Sequence, residues 1–197
     1  MVFDIAGALI AFALFTLLGR SLGTALLLSI DTRRAMLRGR PLQVAVFFTN
    51  LGYRNALSAQ LAVFVLFVTV LHGRILAAGI VVAMHALSQG SLALLKRAYH
   101  RDRPEVWLVR HDIGYSYPSG HSATAVTFYL GALLTVAPMP LGITGKLIDA
   151  VLAGCVIGVP WSRVALGAHY VSDVTGGLLY GFGWLSLGGA LIAALGA

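Results

Sequence analysis

The sequence predicts an all-α, polytopic membrane protein with about six transmembrane helices and an interfacial helix between the first two. Three observations carry this. Apolar residues make up 58% of the 197 positions and charged residues 11%, against roughly 25% charged in a soluble domain. The apolar runs are continuous over about 20 residues, the length at which a helix crosses the hydrocarbon core, and do not alternate as barrel strands do. Glycine is abundant, with 23 copies, while acids are scarce, a composition that suits close-packed helices in lipid.

The first apolar run, 5–30, has no basic stretch before it and exceeds a signal-peptide core, so it is expected to be a retained span. Segment 32–54 places Arg33, Arg34, Arg38, Arg40 and Arg54 around a short apolar centre, Val44 to Phe48. That pattern fits a helix lying in the interface. Further spans are expected over 55–72, 75–95, 121–138, 146–161 (extendable to 166) and 172–196. Trp107, Tyr115 and Tyr117 in the polar connection 97–118 suit the membrane–water boundary. Nothing marks a linker, so 1–197 reads as one domain. Cys155 is the single cysteine, in an apolar run, and reads as packing. The glycine pairs 19/23, 154/158 and 177/181 have the spacing that lets helices approach closely, read here as intramolecular packing.

The net charge is +7. The bases cluster in loops beside apolar runs, which points away from nucleic acid and towards anionic head groups or phosphate substrates. Six spans place three polar clusters on one membrane face: Lys96 with Arg103-Pro104; Pro118-Ser119-Gly120-His121; and Ser162-Arg163 with His169 and Asp173. Ionisable groups beside spans are costly unless they are used.

Lys96, Arg103 and Arg163 offer a point charge and two guanidinium forks to phosphate oxygens. Taken singly, each also reads as a snorkelling anchor, and Arg97, Arg101 and Arg110 are expected to be anchors only. Ser119 and Gly120 stand where a helix begins and its first N–H groups are free to meet an anion. His121 beside them can hand a proton to a leaving oxygen, or be incidental to a helix start. His169 and Asp173 are four apart. The carboxylate can fix one imidazole tautomer and free the other nitrogen to attack, or orient a metal ligand; the surrounding cations disfavour a metal. On the helical wheel His85, Gln89 and Lys96 fall within about 40°, a polar stripe expected to face the bundle interior. Arg20 and Asp149 are intramembrane charges expected to face partners or water.

The pattern Lys-x6-Arg-Pro, Pro-Ser-Gly-His, Ser-Arg-x5-His-x3-Asp, filled in order over 96–173, resembles the type 2 phosphatidic acid phosphatase superfamily. The six spans resemble its membrane lipid phosphate branch. The resemblance implies a hydrolase in the lipid bilayer that needs no metal or other cofactor. His169 would form a phosphohistidine, Asp173 would orient it and His121 would protonate the leaving group. Lys96, Arg103, Ser119, Gly120 and Arg163 would hold the phosphoryl oxygens, and Ser162 belongs to the signature without an assigned role. Expected substrates are phosphatidic acid, phosphatidylglycerol phosphate, undecaprenyl diphosphate or lipid A phosphates, with the tail between helices. The alternatives are a phosphotransferase using the same intermediate, and a non-catalytic lipid-phosphate binding or transport protein. The resemblance implies a bacterial inner membrane with the site facing away from the cytoplasm. The loop charges argue the opposite: Arg33, Arg34, Arg38, Arg40, Arg54, Arg97, Arg101 and Arg110 lie on the site side, against Arg74 and Lys146.

Overall fold

A computed structural model of the chain describes residues 4–24, 26–27, 31, 39–105, 108 and 113–196. Arg33, Arg34, Arg38, Trp107 and Arg110, named above, lie outside the described residues.

Every regular element among the described residues is a helix. Helix α1 (Ile5–Arg20) is started by Asp4, whose carboxylate accepts the Gly7 N–H at 2.8 Å. It stops at Arg20, short of the expected 30. Ser21 donates back to Leu17 and Leu18, and Gly23 takes a left-handed φ of 91° that a helix cannot continue through. Helix α2 (Arg40–Leu51) begins with Pro41 at its first turn, where the missing N–H costs nothing. It meets α3 (Arg54–His72) at a bend of 63°. Helix α4 (Ile75–Tyr99) follows a left-handed Gly73 cap. A continuous helical run, 120–136, consists of α5 (Gly120–Thr124), a π-helical stretch (Ala125–Leu130) and α6 (Gly131–Val136). Helices α7 (Gly142–Ala165) and α8 (Val171–Leu195) complete the bundle.

Among the described residues α4, α7 and α8 are each long and apolar enough to cross a membrane, and the bent pair α2–α3 qualifies as a fourth crossing when taken together. Ile10, Leu17, Val63, Leu66, Val70, Ile143 and Ile157 are all at least 60% exposed. In water such a surface would forfeit about 25 cal/mol for every Å2 left unburied; facing lipid it does not. The helix expected to lie in the interface over 32–54 is α2, which is too short to cross alone and is packed rather than loose: Ala45 and Thr49 are buried, and Phe48 occupies the space above Gly158 of α7.

Two apolar clusters fill the interior. One joins Phe64 and Val68 of α3 to Phe128, Tyr129 and Val159, with Cys155 packed among them. The other centres on Phe15, Tyr117 and Tyr180. Tyr117 is therefore not an interfacial anchor. It is fully buried, stacked on Phe15 at 5.5 Å, and its hydroxyl donates to the Phe15 carbonyl at 2.9 Å. The apolar ring outweighs the one hydroxyl, which finds its partner inside. Helix α8 lies directly on the run 120–136 because Gly177 and Gly181 leave no side chain there: a Cβ at Gly177 would collide with the Ser119 carbonyl, and one at Gly181 would sit 2.8 Å from the Val126 Cβ. Helix–helix contact in lipid depends on such close approach.

Candidate active site

The three clusters converge where the C-terminal ends of α4 and α7 and the N-terminal ends of the 120–136 run and α8 meet their connecting loops. Lys96, in the last turn of α4, donates to the Tyr115 carbonyl at 2.7 Å. Arg103, in the following loop, donates through Nε to the Gly114 carbonyl at 2.8 Å and through Nη1 to the Ala168 carbonyl at 3.1 Å. These main-chain acceptors hold both cations together, Arg103 Nη2 reaching the same Tyr115 carbonyl at 3.4 Å. Arg163, near the end of α7, is fully buried, with Nη1 donating to Thr49 Oγ1 of α2 and its guanidinium 5.9 Å from the Tyr53 ring.

The second cluster starts with a cis Tyr117–Pro118 bond. Ser119 caps the run 120–136, its Oγ accepting the Ser122 N–H at 3.4 Å and the Ser122 hydroxyl at 3.0 Å. The Ser119 N–H donates to the Asp173 carbonyl at 3.0 Å, tying the loop to α8. The amides of Gly120 and His121 thus open the helix towards the cations, the arrangement that favours an anion. The His121 Nε2 lies 3.2 Å from the Thr49 carbonyl. A carbonyl only accepts, so Nε2 carries the hydrogen. The Tyr53 ring meets the imidazole edge-on at 4.9 Å, and Gly52 is small enough to let it lie there.

His169 lies just before α8 rather than in its first turn, and Asp173 lies within that turn. Their spacing still brings them together: His169 Nδ1 is 3.4 Å from Asp173 Oδ2, longer than the roughly 2.7–3.2 Å of a strong hydrogen bond. The other ring nitrogen, Nε2, faces Arg103 Nη1 at 3.3 Å. Burial holds His169 well below its ordinary value of 6.5, and Arg163, Arg103 and Lys96 press the same way; a hydrogen bond with the Ser116 main chain opposes them. The imidazole therefore stays neutral, with a lone pair available.

Of the remaining sequence expectations, the polar stripe of α4 does face inward. His85 Nδ1 meets Thr127 Oγ1 at 2.9 Å, and Gln89 reaches the Gly120 carbonyl at 3.5 Å. Ser162 is buried and donates to the Val159 carbonyl of its own helix, beside Pro160, so its visible work is local. Arg101 differs from the anchor it was expected to be. It forms ion pairs of 2.7 Å with both Asp31 and Asp173. The sequence reading also missed Thr49, Tyr53 and Asp31, which carry no signature and come from segments remote from the clusters. The clustering of five arginines around 32–54 was the one signal that this segment sits near the site.

Within the described residues, no three His, Cys, Asp or Glu side chains gather as a metal site. An apolar cleft of about 400 Å3 lies between α3, the π-helical stretch and α7, lined by Gln60, Phe64, Phe67, Phe128, Tyr129 and Leu152. The Tyr129 hydroxyl pins its upper edge to Gln60 Oε1 at 2.6 Å and to the Leu51 carbonyl at 3.0 Å.

The chain is 35% identical over 114 residues to the lipid A 1-phosphatase of Rhizobium etli, covering 51% of this chain and 44% of that protein. It is 37% identical over 90 residues to phosphatidylglycerophosphatase B of Bacillus subtilis, covering 45% of this chain and 44% of that protein. The chain thus spans less than half the length of these curated relatives. The crystal structure of a transmembrane PAP2-type phosphatidylglycerolphosphate phosphatase from Bacillus subtilis superposes with a TM-score of 0.81 over 99% of this chain and 98% of that one, at 22% identity, a likeness of fold. The model of the PAP2 superfamily matches residues 75–193, more than half the chain and all three clusters, and the chain belongs to that superfamily.

Proposed function

We infer that the protein is a metal-independent membrane phosphatase that hydrolyses lipid phosphate monoesters or lipid diphosphates through a phosphohistidine. The observation that carries this reading is His169. It is buried and neutral, has Nδ1 turned to Asp173, and has Nε2 turned to the Arg103 guanidinium. Binding alone needs cations but no oriented imidazole.

In the first half-reaction the Nε2 lone pair attacks phosphorus and the bond to the lipid oxygen breaks. The departing oxygen takes a proton from His121. Because Nε2–H is held by the Thr49 carbonyl, the transferred proton is one that Nδ1 takes up when the anionic phosphate sits between His121 and the cations. Water then attacks the phosphohistidine, His121 recovers a proton from it, and the P–N bond breaks to return His169 and inorganic phosphate. Lys96, Arg103, Arg163 and the Gly120 amide offset the charge that accumulates on the phosphoryl oxygens, the Ser119 N–H being engaged by the Asp173 carbonyl. The same three cations would repel a catalytic metal ion, which supports a metal-free route. The apolar cleft beside Tyr129 suits a lipid tail, with the phosphate held at the interface. The relatives' names make lipid A 1-phosphate and phosphatidylglycerol phosphate the first substrates to try; phosphatidic acid and undecaprenyl diphosphate share the same reacting group.

Purified protein should release phosphate from such lipids in the presence of chelator, be inhibited by vanadate, and lose turnover in the His169→Ala variant. Full activity of His169→Ala would overturn the reading. We place the site on the extracytoplasmic face of a bacterial inner membrane. With Arg101 engaged by Asp31 and Asp173, one of the charges that argued for the opposite orientation is no longer free to set topology.

A further inference from the structure

The hydrogen bonds around Asp173 reach beyond the three clusters. Its Oδ2 accepts the Tyr170 N–H at 2.9 Å and lies 3.4 Å from the His169 imidazole. Its Oδ1 accepts from Arg101 Nη1 at 2.7 Å, so its shortest side-chain contact is with Arg101 rather than with the histidine. Arg101 continues outward: Nη2 donates to Asp31 Oδ2 at 2.7 Å and Nη1 to the Ser172 hydroxyl at 2.6 Å. Asp31 in turn sits on the N-terminus of α8. Its Oδ1 accepts the Ser172 N–H at 3.1 Å and its Oδ2 the Ser172 hydroxyl at 2.7 Å. The Tyr170 ring covers the guanidinium at 4.3 Å. The side chains of Asp31 and Asp173 are 1% and 0% exposed, and that of Arg101 13%.

We propose that Arg101 and Asp31 are positioning residues for the reaction: Arg101 clamps one oxygen of Asp173 so that the other is presented to His169, and Asp31 locks Arg101 in place. The inference rests on His169 being the nucleophile. Without Arg101 the carboxylate would keep only uncharged partners, the Tyr170 N–H and the Ser116 hydroxyl; a planar guanidinium on Oδ1 adds the charged hold that fixes its last torsion. Arg101 is committed to two carboxylates by its planar fork, whereas Arg103 is held by main-chain carbonyls and faces the attacking nitrogen, so the two arginines divide the work. Two carboxylates and one guanidinium leave one net negative charge behind His169, which counters the positive character the imidazole gains when Nε2 bonds to phosphorus.

The test measures kcat and KM per folded enzyme for Arg101→Gln, Arg101→Lys, Asp31→Asn and the Arg101→Gln/Asp31→Asn double variant, with His169→Ala and Arg103→Ala alongside. Turnover by His169→Ala would remove the nucleophile assignment itself, whatever Arg101 does. With His169→Ala inactive, positioning predicts that Arg101→Gln lowers kcat about 10- to 100-fold, the range seen when partners that orient a histidine are lost. KM should stay within about twofold, while Arg103→Ala raises it. Asp31→Asn should lower kcat in the same sense, the double variant should be no worse than Arg101→Gln, and Arg101→Lys should recover only part. Wild-type kcat in Arg101→Gln, a loss confined to KM, or losses that multiply in the double variant would each overturn the proposal. If Arg101→Gln does not fold, Asp31→Asn decides alone, and a wild-type kcat there overturns it.

Discussion

A single methyl group at Gly177 should disable the site from the opposite helix. The added Cβ would collide with the Ser119 carbonyl, lie 2.8 Å from the Ser122 Cβ and 3.2 Å from the Ser119 carbonyl carbon. Two of these three neighbours are main-chain atoms of the N-cap that presents Gly120 and His121, and they cannot rotate away as a flexible side chain would. Overpacking of this kind costs about 1–3 kcal/mol. Gly→Ala within a helix returns roughly 1 kcal/mol through propensity, so the comparison needs a glycine in open space. Gly154 on α7 has nothing within 4 Å of its would-be Cβ. Gly154→Ala should hold or raise the melting temperature in detergent, and Gly177→Ala should fall below it by the equivalent of about 1–3 kcal/mol. A displacement approaching 1 Å at catalytic groups costs up to about 100-fold, so kcat/KM for phosphate release from a short-chain lipid phosphate should drop at least tenfold in Gly177→Ala and stay unchanged in Gly154→Ala. Equal activity and equal stability in the two variants would refute the reasoning.

Three further outcomes follow from charge and exposure. Because burial, Arg163, Arg103 and Lys96 hold His169 below 6.5, the acid limb of kcat/KM due to this group should lie below pH 6.5, and Arg103→Gln should move it upward as one repelling cation is lost; a limb that stays put or moves down contradicts the assignment. The same depression means that the unfolded chain takes up a proton the folded one refuses, so stability should fall as pH drops below about 6.5. For orientation, Ile113 is 99% exposed on the site side. Ile113→Cys in a Cys155→Ser background should react with an impermeant thiol reagent in intact cells, and protection would reverse the proposed face.

The parts of the fold governed by apolar length were legible in the sequence. The helices from Arg54 onward fall close to the expected spans, because composition alone decides which segments remain in lipid. Helix α1 was overdrawn by ten residues, since the apolar run beyond Gly23 hid a turn that depends on one left-handed glycine. The residues of the proposed site stand out in the sequence because their types and spacing are chemically specific, and His169 and Asp173 do meet in the structure. The residues that hold them were not. Thr49 meets His121 through a main-chain carbonyl, which every residue possesses, and Arg101 looks like any interfacial arginine until Asp31 is brought to it across 70 positions. Tyr117 misled for a related reason: an aromatic with a hydroxyl suits an interface and a sealed core equally well, and only the Phe15 carbonyl decides between them.

The helix carrying Thr49 has a consequence for how such enzymes are divided or transplanted. The family match begins at residue 75, yet the seats of His121 and Arg163 are on α2, and the counterweight to Arg101 is Asp31. A chimera built by grafting 75–193 onto a foreign N-terminal half would inherit every side chain of the proposed reaction with none of these three supports. Portability of the chemistry therefore depends on a segment whose contribution at Thr49 is partly backbone, where many side chains would serve and only the path of the chain matters.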